Sequence, residues 1–452
     1  MAGPRNPRPS GTTQTVTKLL LFLALLAADG LAQPTELSVK DFGAKGDGIA
    51  DDTAALQRAL DAVCAADSVT PRLHVPAGTY NIATPLVTGC STFIEGDGPT
   101  RSILFQTVQS ALNHGIVANY SLTIHDLAIN TKALTEDRSM IAVFRCGFSP
   151  CNAGRPIPSA GQTFSFVRFE SHGFNFGLGI NGTTNADVIA SVNVDECNIS
   201  TGTAPNKVSN PINAANATQV TVENCTLTSD GHSDHAIYFI AVRGVTLRNN
   251  TIHDFQNSTV KIMTQGYGGG TCPEVKDDHV AWIVENNRLS DAAAIAIAMY
   301  TYCDIRLPRI LIADNTISHF PDTYAGDGGV IYLEASCQSV IEDVEMRGNV
   351  IQDVGLGGVF LLSAAQAAAP CGVFTAAGTI ASFRSTGDKF VNWSTTAAGR
   401  YNAFSSSGPR LGKASISNLT AEPRGSGRAV WNPAAFPFDR VSAPSPGPAI
   451  QP

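Results

Sequence analysis

The fold is decided by residues 224–263, which read NCTLTSDGHSDHAIYFIAVRGVTLRNNTIHDFQNSTVKIM. Within this stretch Cys225 and Asn250 occupy equivalent positions, each followed by one residue and then by a leucine or an isoleucine. The same position recurs at Cys197, Asn287, Asn315 and Asn349. From Cys197 to Asn349 the successive intervals are 28, 25, 37, 28 and 34 residues. A repeat of this size predicts a stacked solenoid, in which one unit cannot bury a core without its neighbours.

An alternating strand precedes each Asn or Cys position. Before Asn250, the apolar residues Val245 and Leu247 are expected to face the core. The intervening Thr246 and Arg248 are expected to point outward, because successive side chains of a strand alternate between its two faces. We expect the Asn or Cys position itself to form a tight turn, where Asn tolerates a left-handed backbone and can hydrogen-bond along a stack.

A further strand in each repeat aligns into a column of outward-facing side chains. The aligned triplets begin at Ile141, Leu178, Ile212, Ile237, Val260, Ile295 and Ile331. The first and third members of each triplet are expected to face the core, and the middle member to face solvent. The predicted outward column is Ala142, Gly179, Asn213, Tyr238, Lys261, Ala296 and Tyr332. Tyr238 and Lys261, its two most reactive members, come from successive repeats and are expected to be neighbours.

One segment near the N-terminus predicts a helix. Residues 41–65 read DFGAKGDGIADDTAALQRALDAVCA, in which Asp51 or Asp52 is a good N-cap. The apolar residues that follow recur on one side of a helix: Ala55, Leu56, Ala59, Leu60 and Val63. An amphipathic helix before the first rung would cover the open end of the solenoid.

The same region resembles a known family. Residues 41–48 (DFGAKGDG), 51–53 (DDT), 75–80 (VPAGTY) and 94–98 (IEGDG) are similar to the opening of pectate-lyase-superfamily proteins, which are related to rhamnogalacturonases, pectate lyases and epimerases. The resemblance covers about residues 36–105 and implies an all-β fold, a right-handed single-stranded parallel β-helix with an N-terminal capping helix. It does not assign a chemistry, since the same opening precedes lyases, hydrolases and phage tailspike enzymes.

The ends of the chain have distinct compositions. Three positive residues and an apolar run from Leu19 to Ala28 precede the small residues of 30–32, which predicts a signal peptide over residues 1–32. An uncleaved anchor is the alternative. Residues 33–105 are interpreted as the cap and first rungs, 106–394 as β-helix rungs, and 395–442 as C-terminal rungs or a cap. Residues 443–452, rich in Pro and Ser, are expected to be a disordered tail.

Composition and cysteine content restrict the class of protein. Of 452 residues, 43% are hydrophobic, 15% are charged and 41 are glycine, which favours strands and turns over surface helices. The net charge of −8 would become more negative on loss of residues 1–32, which argues against nucleic-acid or anionic-membrane partners. Ten cysteines favour an oxidising compartment, hence a secreted or periplasmic protein. Cys146 and Cys151 are expected to close a small loop, while Cys197 and Cys225 should stack on neighbouring rungs, as a disulfide or as two thiols.

The residues that could perform chemistry cluster around the outward column. The predicted catalytic residues are His232 and His235 on a loop, Tyr238 on the next strand, and Lys261 one rung later. The predicted substrate-binding residues are Asp230, Asp234, Tyr267, Asp327, Tyr332 and Glu334. Tyr267 begins an insertion expected to form a wall of the cleft. Grooves along a β-helix suit chain polymers, because aromatic rings stack on sugar faces and carboxylates bind hydroxyl groups.

These side chains match the needs of β-elimination on a uronic-acid polymer. A cation must neutralise the carboxylate, a base must take the adjacent proton, and an acid must protonate the departing oxygen. His235 or His232 would be the base, Tyr238 the acid or base, and Lys261 the neutralising cation or a base of lowered pKa. An epimerase would use the same groups but return the proton from the other face.

Two other classes of function stay open. A glycoside hydrolase would use carboxylates such as Asp230, Asp234, Asp327 and Glu334, although the motifs of galacturonases are absent, which argues against inverting hydrolysis by paired aspartates. The alternative is a non-catalytic β-helix with a glycan-binding or structural role. No C-x2-C pair indicates zinc and no metal ligand is assigned, but calcium remains a possible cofactor because His232, Asp234 and His235 are clustered.

Overall fold

The protein forms a parallel β-helix in the computed structural model. The structure describes residues 36–66, 72–108, 115–118, 120–131, 140–144, 161–174, 176–182, 189–201, 210–264, 279–321, 329–355, 357–364, 376–392, 403–408 and 410–422. Within these ranges all the strand pairings are parallel, and the strands belong to two sheets, the long sheet and the second sheet. This confirms the predicted all-β, right-handed β-helical fold.

The long sheet contains 25 strands within the described ranges. Its strands are Glu36–Ser38, Asp47–Asp51, Arg72–Val75, Gly78–Ile82, Thr92–Gly96, Ser102–Gln106, Leu122–Thr131, Thr163–His172, Ile189–Thr201, Ala217–Glu223, Thr226–Ser229, Gly244–Arg248, Thr251–Phe255, Trp282–Glu285, Arg288–Ala292, Arg306–Leu307, Ile310–Ala313, Thr316–Phe320, Val340–Ile341, Val344–Arg347, Val350–Val354, Thr379–Thr386, Lys389–Val391, Leu411–Ser417 and Thr420–Glu422.

The second sheet has 11 strands in the described part of the chain, stacked in sequence order. They are Leu86–Thr88, Ile116–Ala118, Met140–Phe144, Phe176–Asn181, Ile212–Ala215, Ile237–Ile240, Val260–Met263, Ile297–Thr301, Gly329–Ser336, Gly357–Ala364 and Phe404–Ser407. A typical rung therefore gives two strands to the long sheet and one to the second sheet. Between the sheets lies a continuous apolar core, in which each fully buried Val or Leu contributes about 1.5–3 kcal/mol.

The helix of the N-terminal cap agrees with the sequence prediction, although the Asp52 side chain at its N-cap position makes no capping hydrogen bond. A 3-10 helix spans Val39–Phe42 and an α-helix spans Thr53–Ala65. The α-helix buries the predicted apolar side, namely Ala55, Leu56, Ala59, Leu60 and Val63. At its start, the Asp51 carboxylate accepts from the Thr53 N–H at 3.0 Å, while the buried Asp52 carboxylate accepts from the N–H groups of Lys45 and Gly46. A Cys64–Cys90 disulfide ties the helix to the first rungs.

The turn between the two strands of the long sheet differs from the prediction by one residue. The left-handed backbone belongs to the residue before the Asn or Cys position, as at Asn249 with φ 55° and Asn286 with φ 57°. Asn250 and Asn287 instead point their amides along the stack. The Asn250 Nδ2 group donates to Asn287 Oδ1 at 2.9 Å, and Asn287 Nδ2 donates to Asn315 Oδ1 at 3.0 Å. The predicted hydrogen bonding along the stack is therefore confirmed, and the predicted left-handed position was wrong.

This buried amide ladder continues at both ends. Asn315 Nδ2 donates to Asn349 Oδ1 at 2.9 Å, and Asn349 Nδ2 donates to Asp388 Oδ1 at 2.8 Å. At the other end, Cys225 and Cys197 form a disulfide with a Cα–Cα distance of 4.4 Å. The disulfide alternative for this pair is therefore the correct one. Cys146 and Cys151 lie outside the described residues.

Two members of the predicted outward column were misaligned. Lys261 pairs in register with Ala298 and not with Ala296, because the strand begins at Ile297. Residues 294–299 alternate between alanine and a larger apolar residue. The alignment of this strand can therefore shift by two residues and still place the larger side chains in the core. In an earlier rung Gly179 pairs with Val143 and not with Ala142. Residues 141–143 are all apolar, so their sequence does not show which of them face the core.

The chain ends add two observations. No helix in the described ranges is long and apolar enough to cross a membrane. The strands Phe404–Ser407, Leu411–Ser417 and Thr420–Glu422 extend both sheets into the C-terminal region. The expected signal peptide at residues 1–32 and the expected tail at 443–452 lie outside the described residues.

Candidate active site

Tyr238 and Lys261 meet on the outer face of the second sheet, as predicted. The strands Ile237–Ile240 and Val260–Met263 are adjacent, and Tyr238 pairs in register with Lys261. Their neighbours Ile237 and Ile262 point into the core and are fully buried. Both Tyr238 and Lys261 are half-buried, and the Lys261 ammonium lies 5.2 Å from the centroid of the Tyr238 ring. This distance is within the range of a cation–π interaction.

A second tyrosine flanks Lys261 on the following rung. Its ammonium lies 5.9 Å from the centroid of the Tyr300 ring, so the cation sits between two aromatic side chains. Burial lowers the pKa of the Lys261 ammonium below its ordinary value, while the Asp234 carboxylate acts in the opposite direction. A partly dehydrated cation of this kind interacts strongly with an anion that displaces the remaining water.

His235 is buried beside this pair and not exposed on a loop. Only 3% of its surface is exposed, and its ring centroid lies 5.2 Å from that of Tyr238. The Ser258 N–H donates to His235 Nδ1 at 3.3 Å, which places the ring proton on Nε2, 3.3 Å from an Asp234 carboxylate oxygen. Burial lowers the pKa of His235 to about 4, and the nearby Lys261 contributes to the shift. The imidazole is therefore neutral, and both of its nitrogens are engaged.

Asp234 connects the histidine to the next rung. Its Oδ1 atom accepts from Asn257 Nδ2 at 3.0 Å, and its backbone oxygen accepts from the Asn257 N–H at 3.0 Å. The Asp234 carboxylate keeps about a third of its surface exposed, so it remains accessible while His235 and Asn257 fix its orientation.

Of the other residues in this loop, Ser233 is buried and the two remaining ionisable side chains are in solvent. Both His232 and Asp230 are exposed. His232 Nδ1 lies 3.2 Å from the Asp230 backbone oxygen and 3.5 Å from an Asp230 carboxylate oxygen. The predicted pair of loop histidines thus divides into an exposed imidazole and a buried one.

Tyr332 and Glu334 lie two rungs beyond Lys261. The Tyr332 hydroxyl donates to Glu334 Oε2 at 2.8 Å, and the Ser336 hydroxyl donates to Glu334 Oε1 at 2.5 Å. Glu334 is only 3% exposed, so its carboxylate does not line an open groove as a substrate ligand would. Burial raises the pKa of the Tyr332 phenol well above its usual range, and the Glu334 carboxylate adds to the effect, so the phenol stays protonated. Tyr267 and Asp327 lie outside the described residues.

The sequence prediction missed two neighbours of this site and the burial of a third. Tyr300 escaped notice because the strand that carries it was aligned two residues too early. Asn257 was not singled out, because its role depends on contact with Asp234 on the preceding rung. Asn213 pairs in register with Tyr238, is 4% exposed, and its Oδ1 atom has no hydrogen-bond partner. It was placed in the outward column, but nothing in the sequence indicated that its acceptor would be buried.

A metal site is not indicated by the residues in place. Within the described ranges, no group of three or more His, Cys, Asp or Glu side chains is arranged to hold an ion. The clustered His232, Asp234 and His235 do not form such a set, since His235 engages Ser258 and Asp234 through its two nitrogens.

The chain is thus a parallel β-helix whose second sheet carries, on its outer face, a lysine flanked by tyrosines. Residues 37–276 match the family described as rhamnogalacturonase A/epimerase, pectate lyase-like. The match covers more than half of the chain, and the protein belongs to this family.

Individual relatives match short stretches. A mannuronan C5-epimerase of Azotobacter vinelandii is 52% identical over 48 residues, which are 11% of this chain and 5% of that protein. A probable glucan endo-1,3-beta-glucosidase of Arthroderma benhamiae is 43% identical over 67 residues, which are 13% of this chain and 8% of that protein. The matched part is thus less than a tenth of the length of either relative.

Solved structures share the fold over most of the chain. The A-module of a mannuronan C-5 epimerase from Azotobacter vinelandii has a TM-score of 0.55 at 15% identity, covering 91% of this chain and 100% of that chain. The Agl-KA catalytic domain has a TM-score of 0.56 at 16% identity, covering 91% of this chain and 69% of that chain. At these identities the likeness establishes the shared fold alone.

Proposed function

We propose that this protein is an exported carbohydrate-active enzyme that removes the C5 proton of a uronate residue in an acidic polysaccharide. It then either eliminates the adjoining glycosidic bond or epimerises the carbon. The observation that carries the proposal is the half-buried Lys261 ammonium, held between the rings of Tyr238 and Tyr300 on an outer face of the solenoid. The family membership and the matches to a uronan epimerase support the same class of substrate.

Lys261 would neutralise the uronate carboxylate. The C5 proton becomes removable only when the charge that develops on the carboxylate is stabilised, and a partly desolvated ammonium supplies that stabilisation. Asp234 favours the charged form of Lys261, which the neutralising role requires. Because the chain carries a net charge of −8, this local cation is needed to bind an anionic polymer.

Tyr238 would transfer the proton. Its ring is adjacent to Lys261, so a carboxylate bound at the ammonium brings the reacting carbon and its glycosidic oxygen next to the phenol. In elimination the phenol O–H protonates the departing oxygen as the C4–O bond breaks. In epimerisation a proton is returned to C5 from the opposite face.

The histidines receive different roles in this proposal. His235 is buried, neutral and engaged through both nitrogens, so it positions Asp234 and the Tyr238 ring and does not act as the base. The exposed His232 remains the candidate for the base, together with Tyr238 itself. A candidate base needs to lie within hydrogen-bonding distance of the C5 proton only in the substrate complex.

Glycoside hydrolysis is the second candidate function, favoured by the match to a glucan endo-1,3-beta-glucosidase. It would require an acid and a base among Asp230, Asp234, Asp327 and Glu334. The hydroxyl groups of Tyr332 and Ser336 already occupy the buried Glu334 carboxylate, which disfavours it as a catalytic acid. A non-catalytic glycan-binding or structural role is the third alternative.

The test is a panel of acidic and neutral polysaccharides, assayed with the wild type and with Lys261→Ala. Absorbance from unsaturated uronate ends supports elimination, and a changed uronate composition without cleavage supports epimerisation. Either activity should fall by about 10²-fold or more in Lys261→Ala. New reducing ends without that absorbance would favour hydrolysis, and binding without any product would favour the non-catalytic role. Equal activity in both proteins would remove Lys261 from the mechanism.

A further inference from the structure

Beyond Lys261, the outer face of the second sheet carries a run of aromatic side chains. Lys261 pairs in register with Ala298, and Ala298 pairs with Tyr332. Tyr332 pairs in turn with Phe360. Tyr300 lies two residues after Ala298 and therefore on the same face of the sheet. The rings of Tyr300, Tyr332 and Phe360 are all half-buried, and three rungs carry this surface about 14 Å beyond Lys261.

The rings form one connected surface. Those of Tyr332 and Phe360 are nearly parallel, with 16° between their planes and 5.7 Å between their centroids. The Tyr300 and Tyr332 centroids are 5.3 Å apart, with their planes tilted by 42°. Centroid separations of this size correspond to offset arrangements, in which a ring covers only part of its neighbour's face. Tyr300 and Tyr332 both pack against a small apolar cluster that includes Ala298.

A buried carboxylate fixes the middle ring. Glu334 accepts the Tyr332 hydroxyl through one oxygen and the Ser336 hydroxyl through the other. Burying a charged group is costly unless hydrogen bonds compensate for its lost hydration. Glu334 is too buried to meet a polymer, so its hydrogen bond serves to hold Tyr332.

We propose that Tyr300, Tyr332 and Phe360 form a stacking platform for the sugar residues on the C-terminal side of Lys261, and that Glu334 is the positioning residue that fixes its middle ring. Aromatic faces bind the apolar faces of pyranose rings. Lys261 would bind one uronate carboxylate. The platform would bind the neighbouring sugar residues through their shape, whether or not those residues are charged. This inference rests on the proposed function, because it assigns these subsites to the polymer bound at Lys261.

Affinity electrophoresis in gels that contain alginate, polygalacturonate or hydroxyethylcellulose tests the platform without relying on turnover. For a polymer that retards the wild type, Tyr332→Ala and Phe360→Ala should each raise the dissociation constant by about tenfold, because each removes one buried aromatic contact. The melting temperature of each variant shows whether the fold is retained.

Two matched variants test the positioning role of Glu334. Glu334→Gln keeps the size of the side chain but weakens the bond to the Tyr332 hydroxyl, whereas Ser336→Ala removes the other bond and leaves that one in place. We expect Glu334→Gln to weaken retention several-fold and to alter the near-ultraviolet circular dichroism of the tyrosines, and Ser336→Ala to change retention by less than about twofold.

The outcomes separate the platform from the proposed chemistry. Unchanged retention of folded Tyr332→Ala and Phe360→Ala would overturn the platform, even if the uronate activity and its loss in Lys261→Ala were observed. Weaker retention of these variants, with no uronate product from any polymer, would support the platform and reject the chemistry. A wild type that none of the three polymers retards would also overturn the platform. Equal effects of Glu334→Gln and Ser336→Ala would reject the positioning role.

Discussion

The outer faces of the two sheets use charge in different ways. On the long sheet, Arg248 lies 3.5 Å from a carboxylate oxygen of Glu223 on one side and 3.2 Å from one of Glu285 on the other. On the second sheet, Lys261 is flanked by two tyrosine rings. A cation held between carboxylates has its charge neutralised within the protein, whereas a cation held between rings retains charge for an incoming anion. We therefore propose a structural role for the first face and a binding role for the second.

Removal of the Tyr238 hydroxyl should have the largest effect on activity. Tyr238→Phe keeps the ring beside Lys261 but removes the proton donor, and we expect the rate of uronate elimination or epimerisation to fall by about 10²–10⁴-fold. The melting temperature should be nearly unchanged. Initial rates on the polymer that the panel identifies would measure this loss.

Tyr80→Phe is the matched control in the N-terminal cap. The Tyr80 hydroxyl donates to the Pro76 backbone oxygen at 2.9 Å, far along the chain from the second-sheet tyrosines. Its loss should cost about 1 kcal/mol of stability and leave the rate unchanged. If the two variants lost similar activity, the hydroxyl of Tyr238 would have no special role.

Disruption of the buried amide ladder should cause the largest loss of stability. Asn315→Leu would leave the Asn287 N–H and the Val284 carbonyl without their buried partners. We expect the free energy of unfolding to fall by about 4 kcal/mol, since each orphaned buried group costs about 1–3 kcal/mol. Urea denaturation followed by circular dichroism would measure this change.

Asn286→Gly tests an exposed asparagine hydrogen bond that runs beside the buried amide ladder. Asn286 has a φ of 57°, which glycine adopts without strain, and its Nδ2 group donates to Asn249 Oδ1 at 2.6 Å in solvent. The expected loss is about 1 kcal/mol or less. A loss as large as that of Asn315→Leu would show that burial is not what makes the inner ladder important.

His235 should make stability depend on pH in a defined range. Its pKa is about 4 in the folded protein, below the ordinary value of 6.5, because burial disfavours the charged ring. Between pH 6.5 and 4 the unfolded chain therefore binds a proton that the folded chain does not. Stability from this group is fully present above pH 6.5 and decreases by about 3 kcal/mol as the pH falls to about 4.

His235→Gln removes this proton uptake while the carboxylates of the chain titrate as before. Its free energy of unfolding should decrease less than that of the wild type between pH 7.5 and pH 4.5, when both are measured by urea denaturation. The charged neighbours of position 235, Asp234 and Lys261, are the same in both proteins, so the comparison isolates the imidazole. Parallel pH profiles would indicate that the buried imidazole is not neutral.

The smallest effect is expected on the long sheet. Arg248→Gln breaks two partly exposed salt bridges, which typically contribute about 0–1 kcal/mol each. We expect a small decrease in melting temperature that disappears at high salt. A loss of several kcal/mol would mean that this face contributes more to stability than its exposure suggests.

The sequence predicted the stacking because burial imposes a strict alternation on every rung. Tyr238 and Lys261 were placed correctly, since few residues separate their strands and one alignment fits both. The left-handed turn was misplaced because Asn249 and Asn250 are adjacent and both suit a turn, and only the stack decides which amide is buried. Tyr300 was missed because the alternating residues before it permit two alignments.

The environment of His235 could not be predicted for a different reason. Its burial depends on residues from other rungs, including Asn210, whose Oδ1 atom accepts from the His235 N–H at 3.1 Å, and Ser258. A single repeat contains no information about such contacts, so a histidine in a polar loop of the sequence appears exposed. The same holds for the buried carboxylate of Glu334.

The most direct test of the active-site assignment is release of deuterium from a uronate polymer labelled at C5. Both elimination and epimerisation break the bond between C5 and its deuterium. The wild type and Arg248→Gln should release deuterium at equal rates, and Lys261→Gln should do so about 10²–10³-fold more slowly. Equal rates in Lys261→Gln and the wild type, or cleavage of the polymer without any release, would contradict the account.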